Sequence, residues 1–195
     1  YFENLNKILS QENNSIIIIG GRLPVYLSNM FFNNQEGGIE DKEWNYEYKS
    51  TNFEKSLQSS FRNAVLELSK NNKIILIYPI PEVGWDINQK LYNRLPKIKN
   101  ASIEEYLEPK NYVTTSYAIY KNRTKSSFDL LDTVQGENIY KVYPHKLFCN
   151  TIIEDRCLAH DNENIFYSDD DHPSTKGAEM INDLIMKKIE KIEIK

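Results

Sequence analysis

"KIILIYPIPEVGW", residues 73–85, is the strongest indication of a fold in this sequence. Residues 74–77 are all apolar, and Pro79 and Pro81 then end the run because proline cannot donate to a β-ladder. A strand that is apolar on both faces is typical of a parallel sheet covered by helices on both sides. A second run of this kind, "SIIII" at residues 15–19, precedes a Gly-Gly-Arg segment. The two runs therefore predict buried strands of a mainly parallel sheet.

The rest of the chain alternates between helical and extended patterns. The predicted helices cover residues 53–71 and 115–135 and continue from Thr175 onward, and further strands are predicted at 138–144 and, shorter, at 164–167. Gly136 is expected in the C′ position that ends the second helix. Long surface loops are expected at 33–52 and 86–112. This order predicts an α/β domain that spans residues 1–195 as one unit.

Composition and charge exclude several classes of function. The formal net charge is −4 and no cluster of lysines and arginines stands out, so we expect no nucleic-acid partner. The longest aliphatic run, Ile16–Ile19, is far shorter than a membrane span, and no secretory signal is present. Because the chain begins at Tyr1 rather than Met, we expect it to be a C-terminal fragment of a longer protein.

Three segments are predicted to meet at one edge of the sheet. Ligands bind beyond the carboxyl ends of parallel strands, and "GGRLPVY", "PIPEVGW" and "SDDDHPS" all fall there. The candidate substrate-contacting residues are Arg22, Tyr26, Glu82 and Trp85. Arg22 either orients a substrate or stabilises an oxyanion, or it forms a structural ion pair with Glu82 or another carboxylate. Each of the other three side chains either lines a sugar site or contributes to core and loop packing.

The segment "YSDDDHPSTKGAEMI", residues 167–181, contains the best catalytic candidates. A histidine that acts as a general base needs its second ring nitrogen held by a carboxylate. A residue three positions earlier can fold back beneath the ring in a tight turn, so Asp169 is the predicted partner of His172. Asp170 and Asp171 are expected to face the solvent or the following helix N-terminus and to be dispensable.

The residues after His172 are predicted to hold it in place. Pro173 favours an extended backbone at His172. Ser174 is the predicted N-cap of the closing helix, with its hydroxyl accepting from the amide of Lys176 or Gly177. The histidine is therefore expected on a stiff segment directly in front of a helix.

Cys149 and Cys157 allow three interpretations. They are free buried thiols, a disulfide, or metal ligands together with His145 and His160. The polar, loop-like segment between them favours a disulfide, and a disulfide implies an oxidising compartment. The spacing matches no standard zinc motif, so we predict no metal, and no cofactor is implied.

The catalytic segment resembles the last sequence block of SGNH (GDSL-type) hydrolases, in which a D-x-x-H element supplies the Asp and His of a Ser-His-Asp triad. The segments "IIIIGGRLPVYL", "YPIPEVGWDIN" and "KLFCNTIIEDRCLAHDNENIFYSDDDHPSTKGA", with the cysteine pair, resemble the SGNH domain that follows the membrane acyltransferase-3 domain of bacterial surface-glycan acyltransferases. This resemblance implies a three-layer α/β/α, flavodoxin-like fold in a periplasmic domain of an inner-membrane protein. It implies that an upstream membrane domain of the same chain delivers an acyl donor, usually acetyl, for transfer to a polysaccharide acceptor.

The sequence also departs from this family. Leu23 stands where a tryptophan is usual, and Pro173 stands where a leucine is usual. No Gly-Asp-Ser motif and no Gly-x-Asn-Asp motif occurs in the 195 residues. In the family the serine motif precedes the region that this chain covers, so the N-terminal strand and the serine are expected upstream. A stand-alone carbohydrate or lipid esterase and a degenerate glycan-binding module remain alternative functions.

Overall fold

A computed structural model describes residues 7–28, 30–40, 56–94 and 108–192. The strands are β1 (Ile16–Ile19), β2 (Lys73–Ile77), β3 (Thr114–Ser116), β4 (Ile139–Val142) and β5 (Arg156–Leu158). The helices are α1 (Leu23–Ser28), α2 (Leu57–Leu68), α3 (Ile87–Tyr92), α4 (Tyr117–Thr133), α5 (His145–Phe148) and α6 (Thr175–Ile189), with a 3-10 turn at Pro109–Asn111. None of the helices in these ranges is long and apolar enough to cross a membrane.

The central sheet is parallel, as predicted. It has three strands in the order β1-β2-β4, and Ile17 pairs with Ile74 while Leu76 pairs with Lys141. The middle strand, β2, is fully buried at Ile74, Ile75 and Leu76 because helices cover both of its faces. The continuous apolar run therefore predicted this strand correctly.

Helices form a layer on each face of the sheet. Val65 of α2 and Leu131 of α4 pack against Ile74 and Leu76 on one face. On the other face, a set of α6 side chains packs around Ile75. The fold is thus the three-layer α/β/α arrangement that the resemblance implied, with a mainly parallel sheet.

Strand β1 forms one edge of this sheet within the described residues. It pairs on one side with β2, and the Ile18 side chain remains 48% exposed. Ile18 pairs with Ile75 and therefore faces the same side of the sheet as helix α6. The edge strand is apolar but only partly covered.

The structure corrects several predicted elements. A second, antiparallel sheet pairs β3 with β5, which the sequences of these three-residue strands were too short to indicate. Residues 164–167 form only isolated bridges rather than a strand. The loop expected at 86–112 contains α3, and helix α4 ends at Thr133 with Val134 as its C-cap, so Gly136 is not the C′ residue. Within the loop expected at 33–52, residues 41–52 lie outside the described residues, as do 53–55 of the first predicted helix.

Cys149 and Cys157 form a disulfide, which confirms the favoured interpretation. Their Cα atoms are 3.8 Å apart, and both side chains are buried. The bond leaves no thiolate for a metal. His160 has a structural role instead, because its Nε2 accepts from the backbone amide of Val113 at 2.8 Å.

We expect the disulfide to stabilise the fold measurably. Replacing both Cys149 and Cys157 by serine should lower the free energy of unfolding by about 2.5 kcal/mol, because the bond closes a short loop in the unfolded chain. Urea denaturation of the oxidised protein and of the double variant measures this difference. The reduced parent protein is the control, and a variant as stable as the oxidised parent would contradict the expectation.

Candidate functional site

The turn that contains His172 is attached to the segment after β2. The backbone amides of Val83 and Gly84 both donate to the carbonyl of Asp170, each at 2.9 Å. Within the turn, the amide of Ser168 donates to the carbonyl of His172 at 2.8 Å. These bonds place the turn beyond the carboxyl end of the central strand, where a parallel sheet is expected to bind its ligands.

Asp169 contacts the imidazole ring of His172. Nδ1 of the ring lies 2.9 Å from Oδ2 and 3.1 Å from Oδ1 of Asp169, and the ring N–H direction suits a hydrogen bond to this carboxylate. Oδ1 also accepts from the backbone amides of Asp171 and His172 at 3.0 and 2.8 Å. Partial burial alone would raise the pKa of Asp169, but these amides and the imidazole lower it below its usual value. The carboxylate is therefore charged and fixed at neutral pH.

Helix α6 begins directly after this turn. The hydroxyl of Ser174 accepts from the amide of Gly177 at 3.1 Å, which confirms the predicted N-cap, and donates to the carbonyl of Ile165 at 2.6 Å. A Cβ atom on Gly177 would lie 2.2 Å from the carbonyl oxygen of Phe166. The glycine of the "HPSTKGA" segment thus allows the first turn of α6 to pack on the backbone that precedes His172.

Asp171 does not face the solvent as expected. Its side chain is only 7% exposed, and its Oδ1 lies 2.9 Å from Nδ1 of His172, the same distance as the nearer oxygen of Asp169. Its Oδ2 forms an ion pair with Nη1 of Arg22 at 2.9 Å. The prediction that Asp171 points away from the ring is wrong, because Arg22 attracts its carboxylate toward the end of β1.

Arg22 is the centre of a network of carboxylates. Its Nη1 and Nη2 donate to the two oxygens of Glu40 at 2.7 and 2.5 Å, and its Nε donates to Glu82 at 2.8 Å. Burial alone would lower the pKa of Arg22, but the hydrogen bond to Glu40 and the charges of Glu82 and Asp171 raise it overall. All three nitrogens of the guanidinium therefore contact carboxylates, which is the ion-pair interpretation of this residue.

Glu82 joins Arg22 to a second arginine. Its Oε2 accepts from Nε of Arg123 in helix α4 at 2.9 Å, and its Oε1 contacts Arg22. Nη1 of Arg123 also donates to Ser28 at the end of α1, at 3.2 Å. Glu82 is 6% exposed, so this bridge is largely shielded from water. It connects α1, the segment after β2, and α4 beneath the turn that contains His172.

The two aromatic candidates lie in different surroundings. Tyr26 is exposed on α1. Trp85 is half-buried against the core cluster that contains Val83, and the Lys90 ammonium lies 4.0 Å from its ring centroid. The contact of either residue with a substrate stays a prediction.

Sequence analysis missed Glu40, Arg123 and the ring contact of Asp171. Glu40 reaches the site because residues 33–39 fold into a turn, in which the Nδ2 of Asn34 donates to the carbonyl of Val83 at 2.7 Å. Arg123 lies in a polar stretch of a helix with no distinctive motif. A surplus of carboxylates around Arg22 could have been anticipated only from the fold, since no local spacing connects these residues.

The arrangement suits general-base chemistry. The Asp169 carboxylate holds Nδ1 of His172, which leaves Nε2 as the proton acceptor, and the imidazole side chain is 66% exposed. Within the described ranges, no hydroxyl or thiol donates to Nε2. Among the described residues, the imidazole thus has a carboxylate partner at Nδ1 and no hydroxyl or thiol partner at Nε2.

Comparison with known protein families gives a match over most of the chain. Residues 2–187 match the family model of the SGNH domain (fused to AT3 domains). Searches of curated proteins and of solved structures each return no match. The matched region includes both strands that lead to the site and the whole turn that contains His172.

Proposed function

We propose that this chain, which belongs to the family of SGNH domains fused to AT3 domains, supplies the histidine and aspartate of an acyltransferase that O-acylates a cell-surface polysaccharide. His172 is the general base, Asp169 holds it, and the acyl group is acetyl. The membership itself implies hydrolase or acyltransferase chemistry in general. The particular reaction, its acceptor and the triad are the proposal.

The observation that carries this proposal is the His172–Asp169 contact at the carboxyl end of β2. A carboxylate 2.9 Å from Nδ1 favours the ring proton on that nitrogen, and the Val83 and Gly84 amides fix the turn relative to the sheet. An exposed imidazole that is restrained in this way is suited to take a proton from a hydroxyl nucleophile.

The nucleophile is a serine supplied from outside residues 1–195. We propose that it follows a further strand that pairs with the outer edge of β1 and covers Ile18, which is 48% exposed. A parallel strand at that edge would end on the same side of the sheet as β1 and β2, and hence near His172.

The proposed reaction has two acyl-transfer steps. In the first, the serine oxygen attacks the donor carbonyl, Nε2 of His172 accepts the serine proton, and the donor leaving group departs with that proton. In the second, a sugar hydroxyl attacks the acyl-serine ester, His172 accepts the hydroxyl proton, and the serine recovers it. An upstream membrane domain of the same protein delivers the donor, and the glycan acceptor binds on the periplasmic side.

The nucleotide sequence upstream of the codon for Tyr1 tests this proposal first. A Gly-Asp-Ser motif after several hydrophobic spans supports the transferase, whereas a signal peptide followed by Gly-Asp-Ser supports a stand-alone esterase. If neither pattern is present upstream, a glycan-binding module without catalysis is supported, and the transferase proposal fails.

Residues 1–195 alone are expected to be catalytically silent. Without the nucleophile, the chain should hydrolyse 4-nitrophenyl acetate no faster than the background rate of a surface histidine, because loss of a triad nucleophile removes orders of magnitude of rate. The full-length protein provides the positive control in the same assay. Robust turnover that is abolished by replacing a serine within residues 1–195 would show that the nucleophile lies inside this chain.

A further inference from the structure

The Asp171 carboxylate contacts a different functional group with each of its oxygens. Oδ1 lies 2.9 Å from Nδ1 of His172, and Oδ2 lies 2.9 Å from Nη1 of Arg22. We propose that Asp171 is a positioning residue for His172, and that Arg22 fixes the orientation of the Asp171 side chain relative to the imidazole. This inference rests on the proposed role of His172 as a general base.

The surroundings of Asp171 explain why a second carboxylate matters. The Asp169 side chain is 43% exposed, so water competes for its oxygens, whereas the Asp171 side chain is only 7% exposed. If the ring proton moved from Nδ1 to Nε2, the Nδ1 lone pair would face two anionic carboxylates. That arrangement is electrostatically unfavourable, and more so where solvent does not screen it. Asp171 therefore favours the tautomer in which Nε2 is free to accept a proton.

Arg22 fixes the orientation of this carboxylate. Its guanidinium is itself held by Glu40 and Glu82, so it cannot turn away from Asp171 without breaking those contacts. Because a guanidinium only donates hydrogen bonds, the group of residue 171 that faces it must be an acceptor. The second oxygen of Asp171, or the NH₂ group of an asparagine at this position, then faces Nδ1 of His172.

This geometry makes an unusual prediction for two substitutions of Asp171. In Asp171→Asn, the amide oxygen should stay toward Arg22, so the amide NH₂ takes the place of the Oδ1 that lies 2.9 Å from Nδ1 and presents its partial positive charge to that nitrogen. That contact favours the Nε2–H tautomer. In Asp171→Ala, neither group is present, and Asp169 alone holds the ring. The Nδ1–H population should therefore decrease from the parent to alanine and further to the isosteric asparagine.

Nitrogen-15 correlation spectra of the imidazole rings at pH 8 measure these populations. The sequence contains three histidines, and burial lowers the pKa of both His145 and His160, so each of them is neutral at this pH. The signals of His172 are assigned by their loss in His172→Gln. We expect Nδ1–H to be the major tautomer in the parent and the minor one in Asp171→Asn.

Asp170→Asn is the matched control, because it removes the same charge one residue away and, among the described residues, only the carboxylates of Asp169 and Asp171 lie against the ring nitrogen. Its spectrum should equal that of the parent. A merely structural role of Asp171 predicts the opposite order, with the larger truncation to alanine causing the larger change. That order, or an Asp171→Asn spectrum equal to the parent, would overturn the proposal.

If Asp171→Asn does not fold, as judged by circular dichroism, Asp171→Ala is compared with Asp170→Ala, and equal tautomer populations in these two variants would overturn the proposal. The spectra require no serine and no substrate.

Tautomers in the expected order, combined with no acyl transfer by the full-length protein, would refute the proposed function and leave the positioning role intact. Where activity is present, Asp171→Asn should lower kcat by about tenfold or more with little change in KM.

Discussion

His172→Ala in the full-length protein is expected to lower kcat for acyl transfer by about a thousandfold or more. Alanine has no group that could accept the serine proton, so the nucleophile would have to attack in its protonated form. The residual rate would come from substrate binding alone. Steady-state kinetics with an acetyl donor and a glycan acceptor measure the loss, and a decrease smaller than tenfold would contradict the role of His172 as general base.

Asp169→Asn should also cause a large decrease in kcat, because the asparagine amide can donate to Nδ1 and stabilise the wrong ring tautomer. Asp170→Asn is the control for this substitution as well. It should change the rate by less than about tenfold, which corresponds to roughly 1.4 kcal/mol in the activation barrier. Equal losses in the two variants would show that charge in the turn matters rather than the contact with the ring.

Glu82→Gln should destabilise the fold by about 3 kcal/mol. Glu82 is shielded from water and bridges Arg22 to Arg123 through its two oxygens. A glutamine can present its oxygen to only one of these arginines, so its NH₂ group would face the other guanidinium. The substitution therefore removes the buried negative charge and places two donors against each other. Urea denaturation monitored by tryptophan fluorescence measures the change.

A surface ion pair provides the comparison. Glu36 pairs with Arg156 through two contacts of 2.6 Å, but both side chains are partly exposed. Glu36→Gln should cost about 1 kcal/mol or less, because solvent screens the pair. If Glu82→Gln were no more destabilising than Glu36→Gln, the network around Arg22 would contribute little to the stability of the site.

Local patterns predicted the parts of this structure that depend on local physics. The apolar run at 74–77, which Pro79 ends, predicted the central strand, because such a composition is typical of a strand covered on both faces. The spacing of Ser174 and Gly177 predicted the helix N-cap. The three-residue spacing of Asp169 and His172 anticipated their contact, since a single turn brings such residues together. The catalytic roles of these two residues remain predictions.

The errors concern contacts between residues far apart in the chain. Asp171 was expected to face the solvent because the sequence shows only its neighbours, whereas its position depends on Arg22 at the end of another strand. Glu40 and Arg123 join the same network from a turn and from helix α4. The β3–β5 pair was missed because strands of three residues are too short to show an alternation of apolar residues.

The edge strand β1 has a consequence for the behaviour of the chain at high concentration. Exposed sheet edges are commonly protected by lysine, proline or a bulge, because an unprotected edge is a template for pairing with another copy. β1 consists of four isoleucines and has none of these features. Where no further strand covers that edge, two copies can associate edge to edge and initiate aggregation. A lysine at the half-exposed Ile18 position would protect the edge and keep isolated copies of this chain dispersed.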